Sequence, residues 1–135
     1  MIPEKIKLEI LTPQAEVYSE KVSSIQLPGS EGYFGVFPGH TPFLTSLGIG
    51  KIKVRIGDKE DYFATTGGIA DVQSGAVAVL AETAEAAQEI DVSRAEESRK
   101  RAQERLQEGR TKWDVDRAQM ALLRALNRLQ IASLK

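Results

Sequence analysis

Six arginines in the last third of the chain are the residues best suited to chemistry. Arg94, Arg101 and Arg105 stand at i, i+7 and i+11, and Arg117, Arg124 and Arg128 repeat that spacing. At about 100° per residue each trio falls within roughly 40° of arc, so a helix would carry each as one guanidinium stripe. A guanidinium is a planar fork of donors that fits phosphate or carboxylate oxygens two at a time; it recognises anions rather than breaking bonds. Two readings of the stripes are open: solvated helix faces, or forks that converge on one anion.

Bond-making chemistry has little to work with. There is no glycine-rich phosphate loop ending in Gly-Lys-Ser/Thr, and Gly29, Gly32, Gly35 and Gly39 lie among aromatics with no helix following. His40 is the only histidine and there is no cysteine, which excludes multi-histidine metal sites, zinc–thiolate sites, disulfides and thiol nucleophiles. Between Gly39 and Thr41, His40 reads as a loop histidine bonded to backbone. The acid pairs Glu96/Glu97 and Asp114/Asp116 sit among basic residues, where charge pairing or helix capping accounts for them. The sequence gives no support for an enzyme.

The elements that must position the arginines differ from the rest of the chain. Residues 1–90 carry 7 Lys/Arg and 12 Asp/Glu, whereas residues 91–135 carry 11 and 7. The basic tail reads as two helices, at about 91–107 and 114–133. Asp91 is the N-cap of the first and Gly109 its terminator; the cap of the second is Thr111, which stands in capping-box-like spacing with Asp114, or else Asp114 or Asp116. Ala118, Leu122, Ala125 and Leu129 give the second helix an apolar stripe. The first has only Ala95, Ser98, Ala102 and Leu106 on its matching face. With Leu106, Leu122, Leu126 and Leu129 as its main apolar bulk, such a hairpin offsets little of the roughly 1–2 kcal/mol per residue of backbone entropy. It needs support from the first 90 residues or from another protein, and this predicts a movable element with a cationic face.

The first 90 residues read as β-structure. Ile6, Leu8 and Ile10 alternate with Lys5, Lys7 and Glu9, and Ile52, Val54 and Ile56 alternate with Lys51, Lys53 and Arg55. Further runs at 15–18, 22–27, 61–65, 68–72 and 76–81 are separated by Gly- and Pro-containing turns, which indicates an antiparallel sandwich or barrel. The stretch from Pro28 to Pro42 reads either as a loop with a short strand at 34–37 or as a protein contact surface. The Ala- and Glu-rich segment 81–89 reads as a linker. This gives an α+β chain: a β-domain over residues 1–88 and a helical hairpin over 89–135.

Composition bounds the partners. Hydrophobic content of 41% and charged content of 27% are ordinary for a folded protein, and no run approaches 18 apolar residues. The start lacks the pattern of a secretory signal, so a cytoplasmic location is expected. A net charge of −1 argues against a general nucleic-acid binder, and the β-domain shows no aromatic and basic face for carbohydrate or nucleic acid.

Four strings, SEGYFGVFPGHTP at 30–42, TGGIADV at 66–72, IDVSRA at 90–95 and ALLRALNRL at 121–129, resemble the epsilon subunits of bacterial and chloroplast-type F-type ATP synthases. The likeness runs nearly end to end. It implies a β-sandwich of about ten strands followed by a two-helix hairpin, in a central-stalk subunit without catalysis of its own. It implies three partners: the gamma subunit, the c subunits of the rotor ring, and the catalytic alpha/beta head. No nucleic acid is implied, and contact with the membrane is peripheral, at the cytoplasmic face or the thylakoid stromal face. In that family the hairpin folds down on the sandwich or extends along gamma, where basic residues meet the head and block ATP hydrolysis.

No cofactor is obligatory in the family, but some members bind ATP through a motif resembling Ile/Leu-Asp-x-x-Arg-Ala. Here the motif stands as Ile90, Asp91, Arg94 and Ala95, with Arg101, Arg124, Arg128 and the acidic Glu85 at matching positions. Glu31, Tyr33 and His40 fall on the loop that resembles the rotor-facing surface, where Tyr33 replaces an acidic residue of many relatives. Arg105 and Arg117 are the remaining expected partner contacts. A second reading, a coupling subunit with a permanently docked hairpin and no nucleotide site, stays open here.

Overall fold

The computed structural model describes residues 4–134. The strands are β1 (Ile6–Leu11), β2 (Glu16–Val22), β3 (Ser24–Gly29), β4 (Gly32–Val36), β5 (Phe43–Leu47), β6 (Gly50–Ile56), β7 (Lys59–Thr65), β8 (Gly68–Val72), β9 (Ala76–Ala81) and β10 (Ala84–Ala86). A 3-10 turn at Ala87–Glu89 leads into helices α1 (Val92–Glu108) and α2 (Val115–Ala132).

Period-two alternation builds the core. Ile6, Leu8 and Ile10 of β1, Ile52 and Val54 of β6, and Val77 and Val79 of β9 are buried, while the residues between them face outward. The strands follow the order β10-β7-β6-β3-β5-β8-β9-β1-β2, with β4 on the other side of β3. β3 and β5 are joined by one residue pair, Gly29 with Leu47. The sheet therefore divides there into two halves of five strands, whose inner faces share one apolar cluster. This is the expected sandwich.

The antiparallel expectation has one exception, because β1 runs parallel to β9, from Lys7 opposite Ala76 to Leu11 opposite Leu80. A parallel pair needs a long connection, and here the whole β2–β8 chain supplies it. Two strands were not expected. β5 lies where the Gly- and Pro-rich stretch ends, and β10 lies in the presumed linker, where Ala84, Glu85 and Ala86 pair with Thr65, Ala64 and Phe63 of β7. Within 28–42, Phe34 packs edge-on against Phe43 at 5.4 Å between ring centroids, so aromatic packing does hold this stretch.

The hairpin follows its caps. Asp91 Oδ1 accepts from the Arg94 amide at 3.1 Å, and Asp114 Oδ1 from the Arg117 amide at 3.2 Å. Gly109 ends α1 at φ 85°, a conformation L side chains rarely adopt, and its N–H reaches the Arg105 carbonyl. Alanines, rather than leucines, are what the paired helices bury along most of their length: Ala95 and Ala102 in α1, Ala118 and Ala125 in α2. Leu106, Leu122 and Leu129 are only half-buried and Leu126 is exposed. The end of α2 provides the support that the thin face requires. Ile131 and Ala132 pack with Ala64, Ala87 and Ile90, and Asn127 Nδ2 donates to the Gly50 carbonyl at 2.9 Å.

Candidate functional site

Two adjoining grooves share Ser98, Ala121 and Arg124, one formed by docking of the hairpin on the sandwich and one lying within the hairpin itself. The upper groove, about 440 Å³, lies between the sandwich and the helices. Thr12, Gln14, Thr66, Thr83 and Glu85 form its sandwich wall, and Ser98, Arg124 and Arg128 its helical wall. The Thr66 and Thr83 hydroxyls are hydrogen-bonded to each other at 2.8 Å. Arg128 Nη2 donates to Glu85 Oε2 at 3.0 Å. Its Nε lies 2.8 Å from Oε1 but is not aligned as a hydrogen bond, which leaves a buried N–H without a partner. The lower groove, about 410 Å³, lies between the helices and is lined by Arg101 and Arg105 of α1, Arg117 and Arg124 of α2, and Trp113 and Asp114.

The arginine trios thus divide. Arg101, Arg105, Arg117 and Arg124 converge on the interhelical groove, Arg128 turns to Glu85, and Arg94 stays exposed without lining either groove. The Ile90-Asp91-x-x-Arg94-Ala95 motif does local structural work in this conformation. Ile90 is buried where the hairpin foot meets the sandwich, Asp91 caps α1, and Ala95 is fully buried. Glu85, Arg101, Arg124 and Arg128 are the motif-associated residues that line the grooves.

The other expected contact residues lie elsewhere. Glu31 is exposed in the β3–β4 turn. The Tyr33 hydroxyl accepts from the Lys51 amide at 2.9 Å, and its ring lines a hollow with Asn127, Gln130 and Ile131, so it faces the foot of the hairpin. His40 Nδ1 lies 2.8 Å from the Thr41 carbonyl oxygen, the backbone bond expected of it. Among the described residues no group of three or more His, Cys, Asp or Glu could hold a metal ion. The arrangement can bind anions, and it contains no paired nucleophile and base.

Three features had little or no sequence signal. Asn127 reaches a carbonyl 77 positions away. Trp113 belongs to the turn: its indole N–H donates to Glu108 at 3.0 Å, Lys112 pairs with the same carboxylate at 2.6 Å, and the Arg105 guanidinium lies 4.4 Å from the ring centroid. Lys112, then the indole, hold the Glu108 carboxyl below the usual carboxylate range. Finally, Ile69 and Leu80, paired across β8 and β9, are 45% and 51% exposed and line an apolar hollow with Leu11 and Pro13. The run 76–81 was legible as a strand, but only its register with β8 sets Leu80 beside Ile69.

No helix among the described residues is long and apolar enough to cross a membrane. The chain is 49% identical over 129 residues to the ATP synthase epsilon chain of Syntrophobacter fumaroxidans, covering 96% of both chains. It is 44% identical to the ATP synthase epsilon chain of Nitratidesulfovibrio vulgaris, covering 93% of this chain and 94% of that one. Its fold superposes with a TM-score of 0.85 on a chain in the cryo-EM structure of the Euglena gracilis mitochondrial ATP synthase, at 25% identity and covering 100% of this chain and 84% of that one. Two family models match in sequence, the beta-sandwich domain of the ATP synthase delta/epsilon chain over residues 5–87 and its long alpha-helix domain over residues 88–133. The chain therefore belongs to the ATP synthase delta/epsilon family, with both of the family's domains in order.

Proposed function

We propose that the chain is a non-catalytic epsilon subunit in the central stalk of an F-type ATP synthase, and that its hairpin regulates ATP hydrolysis by changing place. Family membership supports the first part. One observation carries the second: the upper groove takes one wall from the sandwich and the other from the helices. A ligand that touches both walls binds the docked hairpin better than a detached one, and only such a difference in affinity can shift a conformational equilibrium. ATP is the regulatory ligand proposed for that groove. Arg124 and Arg128 would take its phosphates and the threonine hydroxyls would provide further polar contacts.

In the extended state Arg105 and Arg117 would be free to meet acidic segments of the alpha/beta head. The sandwich would join gamma to the rotor-ring c subunits. Its apolar hollow at Ile69 and Leu80 has the character of a protein contact, and Glu31 and His40 are proposed for the rotor-facing surface, whereas Tyr33 is taken up by the foot of the hairpin. The subunit would be peripheral to the membrane, held at the cytoplasmic or stromal face by the complex.

Calorimetric titration of the intact chain with MgATP tests the groove. Arg124→Ala combined with Arg128→Ala is expected to weaken binding at least about tenfold, since each loses a charge-assisted contact. Unchanged affinity would remove the site. Truncation after Gln88 tests regulation: the complex should still assemble, with hydrolysis released from inhibition. If hydrolysis does not change on truncation, the permanently docked coupling subunit is the better reading.

A further inference from the structure

One peptide unit of the sandwich, the Gly50 carbonyl and the Lys51 amide, is held from both ends by groups of different elements. Asn127 Nδ2 of α2 donates to the Gly50 carbonyl at 2.9 Å and lies 3.5 Å from that of Thr65, the residue paired with Gly50 on β7. At the other end, the Tyr33 hydroxyl of β4 accepts from the Lys51 N–H at 2.9 Å. Tyr33 stands opposite Pro28 in the β3–β4 register, so its side chain reaches across β3 to β6. Ladder pairing of β3 with β6 ends at Gln26 and Lys53, and the hydroxyl takes the place of a strand partner. The fit is close: a Cβ on Gly50 would lie 2.5 Å from Pro28 Cβ and 2.6 Å from the Tyr33 hydroxyl oxygen. No other residue type leaves room for the turn against this backbone.

We infer that the 50–51 peptide couples the β3–β4 turn to the seat of the hairpin, with Tyr33 and Asn127 as the positioning residues at its two ends. The peptide is planar, so fixing its N–H also fixes the direction in which its carbonyl points at α2. A hydroxyl that accepts from the N–H polarises the same amide and makes its oxygen a better acceptor for Asn127. Losing either contact therefore weakens the other. Coupling is reciprocal, so a hairpin that leaves its seat also loosens the turn. The functional consequence rests on the reading that the hairpin changes place and that Glu31, two residues from Tyr33, faces the rotor. A contact at the turn then reaches the hairpin without passing through the nucleotide groove, to which Tyr33, Gly50, Lys51 and Asn127 do not belong.

The chain has no cysteine, so a single introduced thiol in the intact chain reports on the seat. Position 87 is buried against Ile131 and Ala132, and Ala87→Cys is open to a maleimide only when the hairpin lifts. Position 70 lies in the sandwich core, and Ala70→Cys is open only on global unfolding. Labelling is expected to be faster at 87 than at 70. Asn127→Ala and Tyr33→Phe, which keeps the ring, should each speed labelling at 87 by about two- to tenfold. Once Asn127→Ala has removed the donor, adding Tyr33→Phe should change the rate at 87 by less than about twofold. The inference is overturned if Tyr33→Phe leaves that rate unchanged. It is also overturned if Tyr33→Phe acts equally with and without Asn127, which would make its role one of strand stability. Equal rates at 87 and 70 in the otherwise unaltered chain would show that the hairpin does not lift by itself. That outcome removes the movable hairpin and the coupling together, whereas the other two remove the coupling alone.

Discussion

Arg128 of α2 and Glu85 of β10 form the one ion pair, among the described residues, that joins the hairpin to the sandwich. The two differ in exposure, with 22% of the arginine side chain and 37% of the glutamate open to solvent. Removing the arginine leaves a carboxylate that water can reach. Removing the glutamate leaves a more enclosed guanidinium whose Nε–H already lacks a partner. Glu85→Ala should therefore loosen α2 more than Arg128→Ala, each by about 1 kcal/mol or somewhat more. Amide hydrogen exchange in α2 measures this, and equal effects would count against the asymmetry.

Replacing Ile131 by Ala removes the largest fully buried side chain of the hairpin foot. The loss should be about 2–4 kcal/mol. Because the sandwich core is a separate cluster, urea unfolding should split into an early loss of helix and a later loss of sheet. A single transition shifted as a whole would show that the two parts unfold together.

Tyr18 packs edge-on against Phe63 at 5.4 Å, but its hydroxyl is buried without a partner. Burial first, then the charges of Asp61 and Glu20, raises its pKa. A raised value means that the folded state disfavours the phenolate, so stability is fully present below the unfolded value of about 10 and declines as pH rises above it. Tyr18→Phe should keep the ring contact, gain about 1 kcal/mol, and flatten that alkaline decline. Thermal unfolding between neutral and alkaline pH provides the check; a less stable variant refutes the prediction.

The lowered pKa of Glu108 works in the opposite direction. Its favourable contacts with Lys112 and Trp113 are present above the ordinary carboxylate value of about 4.3 and are lost as pH falls through the lower folded value. Trp113 emission should change in that acid range, and Glu108→Gln should remove the response. An identical acid transition in the glutamine variant would assign it to another group.

The helices were legible because their ends carry specific chemistry: Asp91 and Asp114 each have an amide to accept from, and Gly109 takes a conformation that suits glycine. The strands β6, β8 and β9 could be read to the residue from alternation and turns. β10 could not, since Ala-Glu-Ala favours helix by composition and is held extended only by its register with β7. The spacing left open whether the arginines stay solvated or converge; it is the pairing of the two helices that brings Arg101, Arg105, Arg117 and Arg124 to one groove and leaves Arg94 and Arg128 out of it. The division of labour between Arg124 and Arg128 was not legible either, because it depends on Glu85, which lies 43 positions before Arg128. Asn127 was hidden for the same reason: nothing local identifies Gly50 as its acceptor.

The parallel pairing of β1 with β9 constrains how the chain acquires its shape during synthesis. As the chain emerges β1 finds β2 at once but cannot take its other neighbour until Ala76–Ala81 has emerged. Closure of the sandwich is thus a late, long-range event of the kind that slows folding. By the time β9 is available the helices are next to be made, so the surface on which α2 docks is complete before α2 exists. The order of translation itself presents the hairpin with a finished seat.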